Sequence, residues 1–240
     1  MRIEVLQTEE ARVVPLRELY RHESNCQLIR DSLLSRGFGR AYLILVDGRT
    51  GGYGAVWTKH YENRLGEFYV MPHLRRHALP MVRELVAVSG ATQMEAQTNL
   101  PLSLAMLYDC AENIQTENFL FQDRMFSCLS CPGTTFRPAG PEDKTDSQWV
   151  LEKRGALVAS GGVLTHYNPP FGDLYMEVVE DARGQGYGSY IVQELKRVAY
   201  ESGRLPAARC NPDNEASRRT LEKAGMLMVG RILAGDIRAR

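Results

Sequence analysis

Three glycines within five positions, Gly184, Gly186 and Gly188, follow Arg183 and interleave with Gln185, Tyr187 and Ser189. A glycine amide has no Cβ beside it, so it approaches an anion closely and tolerates positive φ. The first N–H groups of a helix have no partner within it, and the helix dipole favours negative charge there. Arg183 adds a permanent charge on a fork of donors. Residues of these types at this spacing make a cradle for an anion. Two other glycine loops fit less well. A P-loop carries Lys and then Ser or Thr after its last glycine, where this chain has Ser189-Tyr190. The dinucleotide fingerprint is G-x-G-x-x-G in an early βαβ unit, and both the spacing and the place differ here.

Such a cradle must be held between a strand and a helix. Residues 174–179 read as the strand. After Ser189, Ile191, Val192, Leu195, Val198 and Ala199 share one helical face, with Gln193, Lys196 and Arg197 turned away, and Gly203 ends the helix. Residues 206–210 read as a short strand. Residues 214–224 read as a helix capped by Asp213 or Asn214 and stopped by Gly225, and 227–233 as a last strand. Upstream, 148–159 is a hairpin turning near Lys153-Arg154-Gly155, and 163–167 is a strand.

The first half carries a similar order. Residues 8–20 and 24–36 read as helices, the first capped by Thr8 with Pro15 in its first turn or at a break, the second with Cys26, Ile29, Leu33 and Leu34 at helical spacing. Strands follow at 41–46, 52–61 and 66–70, then a helix at 78–88, a strand at 92–97, a helix at 100–112 with Leu104, Leu107 and Tyr108 inward, and a strand at 119–126. Pro132, Gly133, Pro138, Gly140 and Pro141 place a domain boundary, giving residues 1–131 and 132–240. The halves also repeat. His60-Tyr61, Gly66 and Tyr69 match His166-Tyr167, Gly172 and Tyr175 at an offset of 106, and Glu84-Leu85 matches Glu194-Leu195 at 110. The first copy is then four residues shorter where the second has its glycines.

The 240 residues are 44% apolar and 24% charged, which fits a globular chain. Lys plus Arg and Asp plus Glu are both 29, so the balance speaks against general nucleic-acid binding and against attachment to an anionic membrane. The N-terminal residues lack the apolar core of a signal peptide, and the run 41–46 is too short to span a bilayer, so a cytoplasmic protein is expected. The five cysteines include one C-x-x-C, Cys128 and Cys131, with no second pair to complete a structural zinc site; no metal is expected.

Residues 183–188 resemble the R/Q-x-x-G-x-G/A signature of the GNAT superfamily of N-acetyltransferases, with Arg183, Gly186 and Gly188 on its fixed positions and Val178 in the strand before it. Asn214, Ser217, Glu222, Lys223, Gly225 and Met226 resemble that family's second segment. The likeness covers roughly 148–233, and the first half is similar to a degenerate copy. It implies an α/β fold with a mixed, mostly antiparallel central sheet flanked by helices, in two half-domains or tandem copies. It implies acetyl-CoA as co-substrate. Arg183 and the amides of Gly184, Gln185, Gly186, Tyr187, Gly188 and Ser189 would hold its pyrophosphate, the backbone at Val178 and Val179 its pantetheine arm, and Asn214 and Ser217 would lie near either. It implies acetyl transfer to a primary amine of a small molecule or peptide by direct attack in a ternary complex. The alternative is a non-catalytic acyl-CoA-binding or regulatory module. The family's usual acid is a Tyr seven residues after the Asn; this chain has Leu221 there.

Acetyl transfer needs a neutral amine, a polarised carbonyl and a tolerable leaving group. The Val179 N–H is the expected polarising donor. Glu177, alternating away from Val178, is the expected base, directly or through water; the competing reading is a solvated strand glutamate. A thiol of pKa about 8.5 leaves as thiolate without an acid. Tyr187, Tyr190 and Cys210 are positions for a substitute acid, with structural roles competing at each. His166 and His60, each before a Tyr, point to a shared structural role. One acetyl-CoA per chain is expected, since only the second copy has the glycines.

Overall fold

The computed structural model describes residues 1–24, 27, 32–61 and 63–238. Its elements run in two similar series. The first comprises β1 (Ile3–Thr8), α1 (Val14–Ser24), α2 (Ser32–Ser35), β2 (Gly39–Val46), β3 (Arg49–Trp57), β4 (Arg64–Val70), α3 (Ala78–Ser89), β5 (Gln93–Gln97), α4 (Pro101–Cys110) and β6 (Ala111–Asp123). The second comprises β7 (Thr134–Pro138), β8 (Trp149–Lys153), β9 (Ala156–Leu164), β10 (Phe171–Val178), α5 (Tyr187–Glu201), β11 (Leu205–Cys210), α6 (Glu215–Lys223) and β12 (Met226–Ile237).

Contacts divide the chain into one unit of Met1–Glu117 with Gly230–Arg240 and another of Asn118–Val229. The division falls after 117 and again after 229, not at 131. In the first unit β1, β2, β3 and β4 pair antiparallel in turn, β5 joins β4 in parallel, and β12 pairs antiparallel with β5 through Ile232–Asp236. In the second, β7, β8, β9 and β10 pair antiparallel, β11 joins β10 in parallel, and β6 pairs antiparallel with β11 through Phe119–Gln122. The two mostly antiparallel sets of six strands have one plan. The sixth strand of each is the segment that follows the last helix of the other series.

Amphipathic helices cover these sheets. Ile191, Val192, Leu195 and Ala199 of α5 are at most 1% exposed and pack with Leu174, Ala208, Cys210 and Leu221. Full burial of each Ile, Val or Leu side chain among them contributes about 1.5–3 kcal/mol. In the first unit Met81, Val82 and Leu85 of α3 pack on Ile44, Phe68 and Met94, while Leu16 and Tyr20 of α1 pack with Tyr53 and Trp57 in a separate cluster.

Several expectations change. Residues 3–8 are a strand paired with β2, so Thr8 ends a strand and the helix begins at Val14. Residues 134–138, read among breakers, form β7 on β8. Tyr108 is 57% exposed rather than inward. Cys26 and Ile29 lie outside the described residues.

The repeat is real in the backbone, in another register. Met71 and Val179 share φ −51°, ψ 136° and φ −53°, ψ 137°. Their N–H groups donate to Gly51 O at 2.9 Å and Val158 O at 3.1 Å, and their carbonyls accept from Leu74 and Ala182, both at 2.9 Å. Arg75 Nε donates to Val70 O at 3.3 Å, and Arg183 Nε to Val178 O at 3.4 Å. These pairs are 108 apart (179 − 71), not 106. Met81, Val82 and Leu85 match Ile191, Val192 and Leu195 at 110, as expected. The first copy is thus two residues shorter around the loop, not four. The histidines are not counterparts: His60 lies edge-on to Phe38, and His166 to Tyr167.

Candidate active site

The glycine loop joins β10 to α5 through a single 3-10 turn at Glu180–Ala182. Gly184 and Gly186 take φ 77° and 89°, and a Cβ on either would point into open space. Gly186 is the N-cap of α5, with no side chain capping it. Tyr190 N–H makes the first helical bond, to Gly186 O at 3.1 Å, so the amides of Tyr187, Gly188 and Ser189 precede it. Gly188 works differently: a Cβ there would lie 3.2 Å from Thr220 and 3.3 Å from Val178, so its absence lets α5 close onto β10 and α6. Arg183 is exposed and anchored by Nε on Val178 O; among the described residues it has no carboxylate partner. Free amide donors, the helix dipole and the Arg183 side chain meet at this loop.

Beside the loop, the parallel strands part. β10 meets β11 only at Phe171, Gly172 and Asp173, while its pairing with β9 continues to Val178. Antiparallel bonds alternate in direction along a strand. Val179 N–H donates to Val158 O at 3.1 Å, so Glu177 and Tyr175 also face β9, and the amides of Met176 and Val178 face the open edge. This corrects the expectation for Val179, whose N–H is committed inside the sheet. A cavity of about 360 Å³ occupies the opening, lined by Leu174, Met176, Cys210, Ser217 and Leu221 on the helix side and by Tyr175 and Arg209 among others.

α6 positions the next residues. Asn214 Oδ1 accepts from Ser217 N at 2.9 Å, so Asn214 caps the helix and Ser217 is brought to the cavity wall. Leu221, one turn further on, is 4% exposed and borders the same cavity. It offers no proton. Glu177 is exposed and is not among the residues that line the cavity. Tyr187 is buried, its hydroxyl accepting from Lys153 Nζ at 2.6 Å and donating to Gln185 at 3.1 Å. Tyr190 is half-buried, and burial raises its hydroxyl pKa. Cys210 lies on the cavity wall, its thiol also pushed up by burial. Cys128 and Cys131 are free thiols, and among the described residues no group of three His, Cys, Asp or Glu is placed to hold a metal ion.

Two features escape a reading of motifs. Lys153 reaches the loop from β8, which only the hairpin register reveals. Asp173, 3% exposed, is held by Arg209 at 2.5 Å and by the Tyr167 hydroxyl, whose pKa is raised by burial and then by Asp173. Arg209 follows from alternation on β11, but its partner on β10 does not.

The sequence profile of the Acetyltransferase (GNAT) family matches residues 113–226. No curated protein matches the chain. Among solved structures, an acetyltransferase of the GNAT family from Colwellia psychrerythraea aligns with a TM-score of 0.75 at 16% identity, over 99% of this chain and 100% of that one. A tandem GNAT protein from the clavulanic acid biosynthesis pathway aligns at 0.60 and 14% identity over 100% of both chains. A GCN5-related N-acetyltransferase from Sphaerobacter thermophilus gives 0.56 at 14%, over 99% and 96%. The fold is shared along the whole length, and the profile falls on the series that bears the open loop. Residues 113–226 therefore match the acetyltransferase (GNAT) family, one of acyl transfer, and the chain as a whole has the fold of these structures in two series of one plan.

Proposed function

We propose that the protein is an acetyl-CoA-dependent N-acetyltransferase whose second unit binds the co-substrate. The reading rests on one observation: an open glycine loop with Arg183 exposed on it, beside a strand pair that parts around a cavity. Arg183 and the amides of residues 184–189 take the pyrophosphate. The outward amide of Val178 pairs with the pantetheine arm, which passes Ser217; Asn214 acts by capping α6. The thioester carbonyl accepts from Met176 N–H, since Met176 borders the cavity and Val178 does not. α5 and α6 fill one side, so the acceptor enters on the side of Tyr175 and Arg209.

A neutral primary amine, of a small molecule or a peptide, attacks the thioester carbon in a ternary complex. The C–N bond forms, the C–S bond breaks, and Glu177 takes the amine proton through water. The thiol leaves as thiolate, being a weak base of pKa about 8.5. No helix among the described residues is long and apolar enough to cross a membrane, and we place the reaction in the cytoplasm, without nucleic acid or metal.

Thiol release from acetyl-CoA, measured against a panel of amines, tests the reading. Turnover with intersecting initial-rate lines supports direct attack; parallel lines overturn it. The buried, protonless Leu221 supports the second reading, a non-catalytic acyl-CoA-binding module, and tight binding without turnover on any amine favours that one.

A further inference from the structure

The first unit keeps the frame of this site and fills it differently. β4 leaves β5 after Leu65 as β10 leaves β11 after Asp173, and these positions correspond at the offset of 108. Met71 N–H donates to Gly51 O, so by alternation the amides of Phe68 and Val70 face the open edge. A cavity of about 480 Å³ lies there, walled by Tyr20, Phe68, Tyr69, Leu100 and Leu102. That size and apolar lining are those of a small-molecule site, on the order of 300–1,000 Å³.

Two groups of that wall hold a carboxylate. Arg75, the counterpart of Arg183, is anchored by Nε on Val70 O and bonds Glu23 Oε2 through its terminal nitrogen. Tyr69 OH donates to Glu23 Oε1 at 2.8 Å. Burial and then Glu23 push this hydroxyl up to about 12, so it remains a donor at neutral pH. No phosphate cradle accompanies them: α3 opens at His77 with φ −108°, and no glycine stands in residues 71–77. Glu23 lies in the last turn of α1, where the helix dipole disfavours a carboxylate. The Glu23 and Arg75 side chains are 36% and 41% exposed, a setting in which an ion pair contributes little. Its carboxylate is replaceable.

We propose that the cleft of the first unit is a binding site for an apolar monocarboxylate. The ligand's carboxylate replaces that of Glu23 on Arg75 and Tyr69, and its aliphatic or aromatic body fills the cavity. The site is independent of the reading of the second unit.

Calorimetric titration of the full chain with octanoate, octan-1-ol and octylamine tests this, with acetyl-CoA titrated in parallel. Octanoate binds once per chain, and the alcohol and amine do not. Arg75→Gln weakens octanoate about tenfold or more, through loss of a charge-assisted pair. Tyr69→Phe weakens it severalfold and serves as the deciding variant if Arg75→Gln fails to fold. Glu23→Gln tightens it severalfold by removing the competitor. Acetyl-CoA affinity stays unchanged in all three. Octanoate that ignores both the wild type and Glu23→Gln, or binds Arg75→Gln and Tyr69→Phe as well as the wild type, overturns the proposal. So does a second equivalent of acetyl-CoA that disappears in Arg75→Gln, which would make the cleft a phosphate site.

Discussion

Arg183 and Arg75 sit on the same backbone hook, and what separates them is a carboxylate. The open loop makes Gly186 the sharpest probe of the second unit. Gly186→Glu places an anion in the cradle, and the positive φ costs a further 1–2 kcal/mol, roughly, for an L residue. Acetyl-CoA binding is expected to vanish while circular dichroism shows a folded chain; unchanged affinity would refute the loop assignment. Leu221→Ala tests the missing acid. Turnover at saturating acetyl-CoA should stay within about twofold, while stability falls by roughly 2–5 kcal/mol for the lost packing. A collapse of turnover in this variant would mean that the position shapes the chemistry. Glu177→Gln should lower kcat/KM about 10²-fold or more if it is the base. Glycine types announced the loop because they report backbone conformation directly. Val179 was misassigned because the direction of a strand amide depends on register parity, which residue types do not carry.

Helix α6 shows how ends rather than faces place a site. Asn214 caps one end; at the other, Gly225 takes φ 85°, and a Cβ there would lie 2.2 Å from Met125 O. Gly225→Ala should therefore destabilise by roughly 2–3 kcal/mol, read from the denaturant midpoint, because backbone must move. Between the ends, buried Lys196 donates to Ala224 O at 2.8 Å and ion-pairs with Asp123 at 2.6 Å, tying α5 to both the end of α6 and β6. Lys196→Met would leave Asp123 without its cation, held only by the Tyr200 hydroxyl among the described residues, and should lower the denaturant midpoint by an amount equivalent to about 1–3 kcal/mol. The long helices and the Gly stops were legible from period and punctuation. β1 and β7 were not. Ile3–Thr8 is short, with an exposed Leu6 at 45%, and Thr134–Pro138 stands among prolines and glycines, so edge pairing alone makes them strands. The repeat was visible as similar residues, yet hydrogen bonds set its offset, since conserved geometry at Met71 and Val179 involves dissimilar side chains.

Within the tandem plan only the second unit has the glycine loop, so one acetyl-CoA per chain is expected, which equilibrium binding or mass spectrometry of the intact complex will count. The boundary read at 131 follows breaker residues, but the sheets follow partners far along the chain. A fragment of residues 132–240 lacks Phe119–Gln122, the partners of β11, and carries Gly230–Ile237 without β5. It should not give a cooperative unfolding transition.

The same exchange orders events during synthesis. Gln93 and Asp236, joined by a side-chain bond at 3.2 Å, are 143 positions apart. The sheet of the first unit cannot close until residues 230–237 have left the ribosome, after all of the second series has been made. Meanwhile β5 presents an open edge. Translation, not only thermodynamics, then exposes the first unit to proteases and chaperones for longest. Chains arrested at residue 229 should be cut in residues 93–97 far faster than completed chains, as limited proteolysis of ribosome-bound intermediates will show.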